Sequence, residues 1–236
     1  MRLIKKLLFP LFLLIEATLF FVILFAPLSF LAGNILRFST VGIATIFGWI
    51  FLDQKPYFVI CAALTFTCIA DFLLEIVDPP ERSAATTCFL LAQFVYAGYI
   101  CSFAYNTAET VVHLSVRGLL TIAAGIIVFK VLKDKADYLS LVSVVYFANL
   151  ILNIIFSFIH FKDHPLLAIG FLCFALCDLN VGLSVGVSAG YIDIRGPLYD
   201  FLFLSRFDFI WLFYIPSQTL LSSEIYFQQR KSRASL

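Results

Sequence analysis

The chain has 236 residues, of which 62% are hydrophobic and 13% charged, with a net charge of +1 and a mean hydropathy of +1.00. A soluble domain needs a charged surface that this composition does not supply, and a near-neutral chain with scattered basic residues offers no footprint for nucleic acid. Long apolar runs, in place of alternating segments of about ten residues, exclude a β-barrel and leave an all-α, polytopic integral membrane helix bundle.

Eight transmembrane helices fit the pattern, over residues 7–26, 36–53, 57–77, 86–104, 115–132, 138–159, 165–187 and 199–223. Arg2, Lys5 and Lys6 followed by the run from Leu7 to Ala26 imitate a signal peptide. The run exceeds the usual ~7–15 apolar residues and no small-x-small site follows it, so it reads as a retained first helix. Glu16 interrupts that helix and implies a partner within the bundle. Pro27 and Gly33-Asn34 separate the first two helices, and Asp53-Gln54-Lys55-Pro56 is a tight turn. Pro79 and Pro80 end the third helix, because paired prolines cannot continue it. Lys133-Asp134-Lys135, the stretch His160 to Pro165, and Asp193 to Pro197 are the later breaks. No linker is long enough to divide the chain, so residues 1–236 read as a single transmembrane domain.

An even helix count places the basic tails, with Arg2, Lys5 and Lys6 at one end and Arg230, Lys231 and Arg233 at the other, on one side. The positive-inside rule then makes both termini cytoplasmic, in a bacterial inner membrane or a eukaryotic endomembrane. Lys130, Lys133 and Lys135 fall on the opposite side and weigh against this orientation.

Two acids lie inside membrane-length segments. Asp71 is the fifteenth residue of 57–77 and Asp178 the fourteenth of 165–187. An intramembrane carboxylate costs roughly 2.5–3.5 kcal/mol on insertion scales, which makes such residues rare and usually functional. The third and seventh helices run the same way, so both acids sit at similar depth, in the half of the membrane opposite the termini. The stretches Cys68 to Leu73 and Ala175 to Asn180 share small residues before the acid, a hint of a 4+4 internal repeat.

Other polar residues form stripes. Tyr146, Asn149, Asn153 and Ser157 share one face of the sixth helix. Asp208, Trp211, Ile215, Gln218 and Ser222 line the eighth. Gln93 and Tyr96 are one turn apart on the fourth. Interhelical hydrogen bonds explain any one of these at roughly 0.6 kcal/mol each. Their convergence on two acids points to a polar cavity, with Glu75, one turn beyond Asp71, at its mouth.

Several chemistries find no support. His160 and His164 have zinc-ligand spacing but lie in a short loop without a third histidine, so no metal site is expected. The six cysteines (Cys61, Cys68, Cys88, Cys101, Cys173 and Cys177) all fall in apolar runs and read as reduced, packed thiols. No phosphate-binding loop and no GxSxG is present, and Gly182, Gly186 and Gly190 look like close-packing positions.

Four short motifs, in order, carry a resemblance. They are Thr67-Cys68-Ile69-Ala70-Asp71, the helix from Phe89 through Gln93 to Tyr96, the run from Gly170 to Cys177-Asp178, and the aromatic pair Phe213-Tyr214 followed by Gln218. Over roughly residues 30–225 the chain resembles the YhhN-like family of multi-helix membrane proteins, which includes lysoplasmalogenases. Arg37-Phe38 stands where the family has a Lys-Pro pair, keeping the charge and losing the proline. Gln93 stands where many members have His, which counts against proton shuttling there. The resemblance implies eight helices and a lysophospholipid-type substrate.

The expected activity is hydrolysis of the vinyl-ether bond of a lysoplasmalogen by two-carboxylate acid/base catalysis, with Asp71 and Asp178 as the catalytic pair. The sequence does not say which is acid and which is base. Gln93 and Asn153 are candidates to orient water, and Arg37 or Arg206 to hold the phosphate. Tyr96, Asp208, Tyr214 and Gln218 complete the substrate-binding set. No metal or organic cofactor is required, the partners are the lysophospholipid and the bilayer, and the oligomeric state is not encoded legibly. A proton- or cation-coupled transporter of small solutes uses the same acids equally well.

Overall fold

A computed structural model describes residues 2–53, 55–103, 106–133, 136–188 and 208–234. The chain is all-α, with no strand among the described residues. Among the described residues eight α-helices succeed one another: α1 Arg2–Phe25, α2 Phe30–Phe51, α3 Phe58–Asp71, α4 Arg82–Cys101, α5 Thr107–Leu132, α6 Tyr138–Ile159, α7 Pro165–Ser188 and α8 Phe209–Ala234. A 3₁₀ turn, Lys55–Tyr57, leads into α3, and a π turn, Phe72–Ile76, prolongs it.

Seven of these segments, α1 to α7, are long and apolar enough to cross a membrane, so the protein is a multi-pass membrane protein. Their outer faces carry large apolar side chains that only lipid would welcome. On α5, for example, Leu119 is 69%, Ile122 64% and Val131 70% exposed. The eighth helix is different. It continues past the expected end at residue 223 to Ala234, while residues 199–207 of the expected span lie outside the described residues. Its inward face is polar, with Ser217, Gln218, Ser222, Ser223, Glu224, Gln228 and Gln229 all buried. It packs on α7, α2, α1 and α3, so its polar side chains face protein.

Local sequence sets several boundaries. Asn106 caps α5 by accepting a hydrogen bond from Glu109 N at 2.9 Å. That cap starts α5 at Thr107, two turns before the expected 115. Asp137 caps α6 in the same way through Ser140 N at 2.7 Å. Donation from Ser140 holds the Asp137 carboxyl below the usual carboxylate range. The third helix, expected to be regular over 57–77, instead widens into the π turn directly after Asp71. An extra residue in a turn rotates the side chains beyond it, and such bulges recur at functional sites.

Both chain ends meet one face of the bundle. Lys5 Nζ pairs with Asp53 at 2.7 Å and Lys231 Nζ with Asp163 at 2.6 Å. Lys231 holds the Asp163 carboxyl below its usual range. Glu16, buried at 2% exposure on α1, lies near Thr219 of α8, but neither of its carboxyl oxygens has a hydrogen-bond partner. α7 and α8 pack so closely that a Cβ added at Gly170 would stand 3.0 Å from Leu221.

Candidate active site

α3 and α7 run parallel and bring Asp71 and Asp178 into one cluster. Asp71 is 3% exposed and Asp178 half-buried. Each carboxyl is held by a tyrosine from another helix. Tyr214 Oη, on α8, donates to Asp71 Oδ2 at 2.5 Å. Tyr146 Oη, on α6, donates to Asp178 Oδ2. The two carboxyls lie within electrostatic reach of one another, as do Tyr146 and Asp71. Four helices therefore contribute one group each to a compact acid–phenol cluster. A phenol that donates to one carboxyl oxygen fixes the plane of the acid and leaves its other oxygen for chemistry.

Aromatic rings wall this cluster. Phe174 lies 5.4 Å from Tyr214, and Phe89 lies 5.8 Å from Tyr146 and 6.0 Å from Phe174 between ring centroids. The cluster continues toward the face opposite the termini through charged residues. Arg37 Nη2 pairs with Asp208 Oδ2 at 2.9 Å, and the guanidinium stands 5.4 Å over the Trp211 ring. Asp208 also caps α8, accepting from Ile210 N at 3.1 Å. Glu75, in the π turn, is within electrostatic reach of Arg37 and Asp208. This group is only part-buried, with Arg37 and Asp208 side chains 29% and 33% exposed. It forms a charged mouth beside the acid pair.

Not all candidate residues meet there. Gln93 and Asn153 bond to each other, Asn153 Nδ2 donating to Gln93 Oε1 at 2.8 Å. Asn153 in turn accepts from Arg117 Nη2 at 2.7 Å. Asn153 is thus committed to a buried arginine and Gln93 to Asn153, in place of a water beside the acids. Tyr96 is fully buried, edge-on to Phe171 at 5.0 Å, with no hydrogen-bond partner for its hydroxyl. Gln218, one turn beyond Tyr214 on α8, is 1% exposed, and its carboxamide is likewise unpartnered. Arg206 lies outside the described residues.

The histidines turn to separate carboxylates: His160 Nε2 to Glu109 at 2.6 Å and His164 Nδ1 to Glu224 at 2.6 Å. Among the described residues no group of three side chains is placed to hold a metal ion. Sequence reasoning missed Arg117, with its neighbours His113 and Cys101, and left Tyr146 in a stripe without a partner. The overlooked signal was Asn106-Thr107-Ala108-Glu109, a cap followed three residues later by an acid, which opens α5 early and carries Arg117 into the bundle.

A profile of the YhhN family matches residues 34–224. No curated protein and no solved structure matches the chain.

Proposed function

The chain belongs to the YhhN family, and from that membership and the paired acids we propose that it is an intramembrane hydrolase of lysoplasmalogen-type lysophospholipids. The observation that carries this reading is the joint placement of Asp71 and Asp178, each gripped by a tyrosine and surrounded by aromatic rings.

Vinyl-ether hydrolysis needs this division of labour. One carboxyl delivers a proton to the β-carbon of the vinyl ether. The ether oxygen shares the resulting positive charge as an oxocarbenium ion, which the other carboxylate stabilises. Water adds to the carbon bound to that oxygen and gives its proton to the second carboxylate. The hemiacetal then collapses: its hydroxyl returns a proton to the first carboxylate while the second carboxyl protonates the departing glycerol oxygen, releasing a fatty aldehyde and the glycerophospho-alcohol and restoring both acids. One water is consumed and no electrons are exchanged. The logic is that of glycoside hydrolysis by two carboxylates. Tyr146 and Tyr214 orient the acids. Arg37, at the mouth, is the candidate phosphate ligand, while Glu75 and Asp208 suit the cationic part of a zwitterionic head group.

The competing reading is a proton- or cation-coupled transporter. It draws on the polar face of α8, which runs from Asp208 through Gln218 to Glu224 along the helix. The two separate cleanly: purified protein in detergent should release aldehyde from a lysoplasmalogen without any gradient, whereas a transporter acts only across a sealed membrane.

A further inference from the structure

Arg117 is 5% exposed in the middle of a lipid-facing helix, and its hydrogen-bond partners are neutral amides and an imidazole. Nη1 donates to Asn149 Oδ1 at 2.7 Å, and Nη2 to Asn153 Oδ1 at 2.7 Å. Nη2 also contacts His113 Nε2 at 2.9 Å. An arginine is always charged and cannot accept, so His113 Nε2 is the acceptor and Nδ1 carries the proton. Nδ1 then donates to Cys101 Sγ, 2.7 Å away. Among the described residues no carboxylate is in ion-pair contact with this guanidinium; Glu109, within electrostatic reach of His113 and Cys101, bonds to His160.

A buried charge solvated only by dipoles keeps its whole field, and an intramembrane cation calls for a counter-charge. The hydrogen bonds around it also leave donors unspent. Asn153 accepts from the guanidinium and donates to Gln93 Oε1, so the charge polarises the chain of amides toward Gln93. The far end of that chain, Gln93 Nε2, is fully buried and has no acceptor. Arg117 Nε has none either. The hydroxyl of Tyr96, one turn from Gln93 on α4, is a third unpartnered group. A buried guanidinium with no carboxylate in ion-pair contact, and unspent N–H donors on Arg117 and Gln93, make a cluster that lacks a negative acceptor.

We propose that the Arg117–Asn153–Gln93 cluster between α4, α5 and α6 is a binding site for one compact monovalent anion of halide or nitrate size. One guanidinium matches one negative charge, and a dianion buried there would restore the imbalance with opposite sign. The site is separate from the acid pair, which α3 and α7 carry. The two adjoin on α6, where Tyr146 and Asn149 share a face.

The test uses the purified full chain in detergent. Chloride or nitrate replaces gluconate at constant ionic strength and pH while the thermal unfolding midpoint is followed. A ligand that binds only the folded state raises the midpoint with saturating concentration dependence. The expected result is a saturable rise with chloride or nitrate. Gln93→Leu, which removes a donor and keeps the guanidinium, should raise the half-saturating concentration by about tenfold. Arg117→Gln should abolish the rise. If Arg117→Gln does not fold, Gln93→Leu decides alone. A midpoint that does not respond, that rises without saturation, that responds equally to sulfate, or that behaves identically in wild type and Gln93→Leu overturns the proposal.

Discussion

Tyr214 donates a 2.5 Å hydrogen bond to Asp71 across 143 residues of sequence, tying the last helix to the third at a buried carboxyl. Tyr146 does the same for Asp178, tying α6 to α7. Each acid is therefore oriented from outside its own helix, and neither can change rotamer without losing that bond.

The first prediction rests on this grip. Phenylalanine keeps the ring packing of Tyr214 against Phe174 and Trp211 and removes the donor. A hydrogen bond to a charged group contributes about 1.5–3 kcal/mol, so Tyr214→Phe and Tyr146→Phe should each lower turnover by about ten- to hundredfold. The steady-state kcat for aldehyde release, measured on variants with unchanged size-exclusion profiles, checks it.

Glu75 sits one turn from Asp71 at the charged mouth, within electrostatic reach of Arg37 and Asp208 as well as of Asp71 itself. Glu75→Gln should leave turnover within about tenfold of wild type, well short of the 10²–10⁴ that loss of a general acid typically costs. A loss as large as that of Asp71→Asn would move Glu75 into the chemistry.

Arg37 stands at the part-exposed mouth and not on the acids. If it holds phosphate, Arg37→Gln should raise KM more than it lowers kcat, the signature of binding shared by ground and transition states. A fall in kcat at unchanged KM would reassign it.

The α7–α8 contact should tolerate little extra volume. A Cβ at Gly170 already stands 3.0 Å from Leu221, so Gly170→Val should destabilise by about 1–3 kcal/mol through overpacking. The thermal midpoint in detergent reads this directly. A midpoint equal to wild type would mean that α7 and α8 separate more easily than their packing implies.

Much of the architecture was legible because hydropathy and proline placement write it plainly. Equal depth of Asp71 and Asp178 came from counting residues along two parallel helices, and the inward stripes on the sixth and eighth helices already held Tyr146, Gln218 and Ser222. The misreadings had local causes. The π turn after Asp71 leaves no mark in an apolar run, so the sequence reads as one regular helix to residue 77. Reading α5 from residue 115 left Arg117 near a helix end, where a long cation reaches water. The Asn106 cap starts the helix two turns earlier and leaves Arg117 surrounded by protein. Gln93 and Asn153 read as candidates to orient water because nothing in sequence pairs Asn153 with an arginine on another helix or Gln93 with Asn153. The continuation of α8 beyond residue 223 reflects Glu224 and Gln228, whose partners His164 and Asp163 lie in a turn distant in sequence.

The most direct test of the two-acid account is aldehyde release from a lysoplasmalogen by the purified protein in detergent, compared with Asp71→Asn and Asp178→Asn. Asparagine keeps the size of aspartate but supplies neither an acidic proton nor a charge, and removing an intramembrane carboxylate relieves a desolvation cost, so both variants should fold. Each should lose at least about a hundredfold in turnover. The double variant should lose little more than the worse single, because groups acting as a unit are not additive. Wild-type protein that releases no aldehyde from any lysoplasmalogen, or single variants that retain full turnover, would contradict the account. Proton- or cation-coupled uptake into proteoliposomes, lost in the same two variants, would put the transporter in its place.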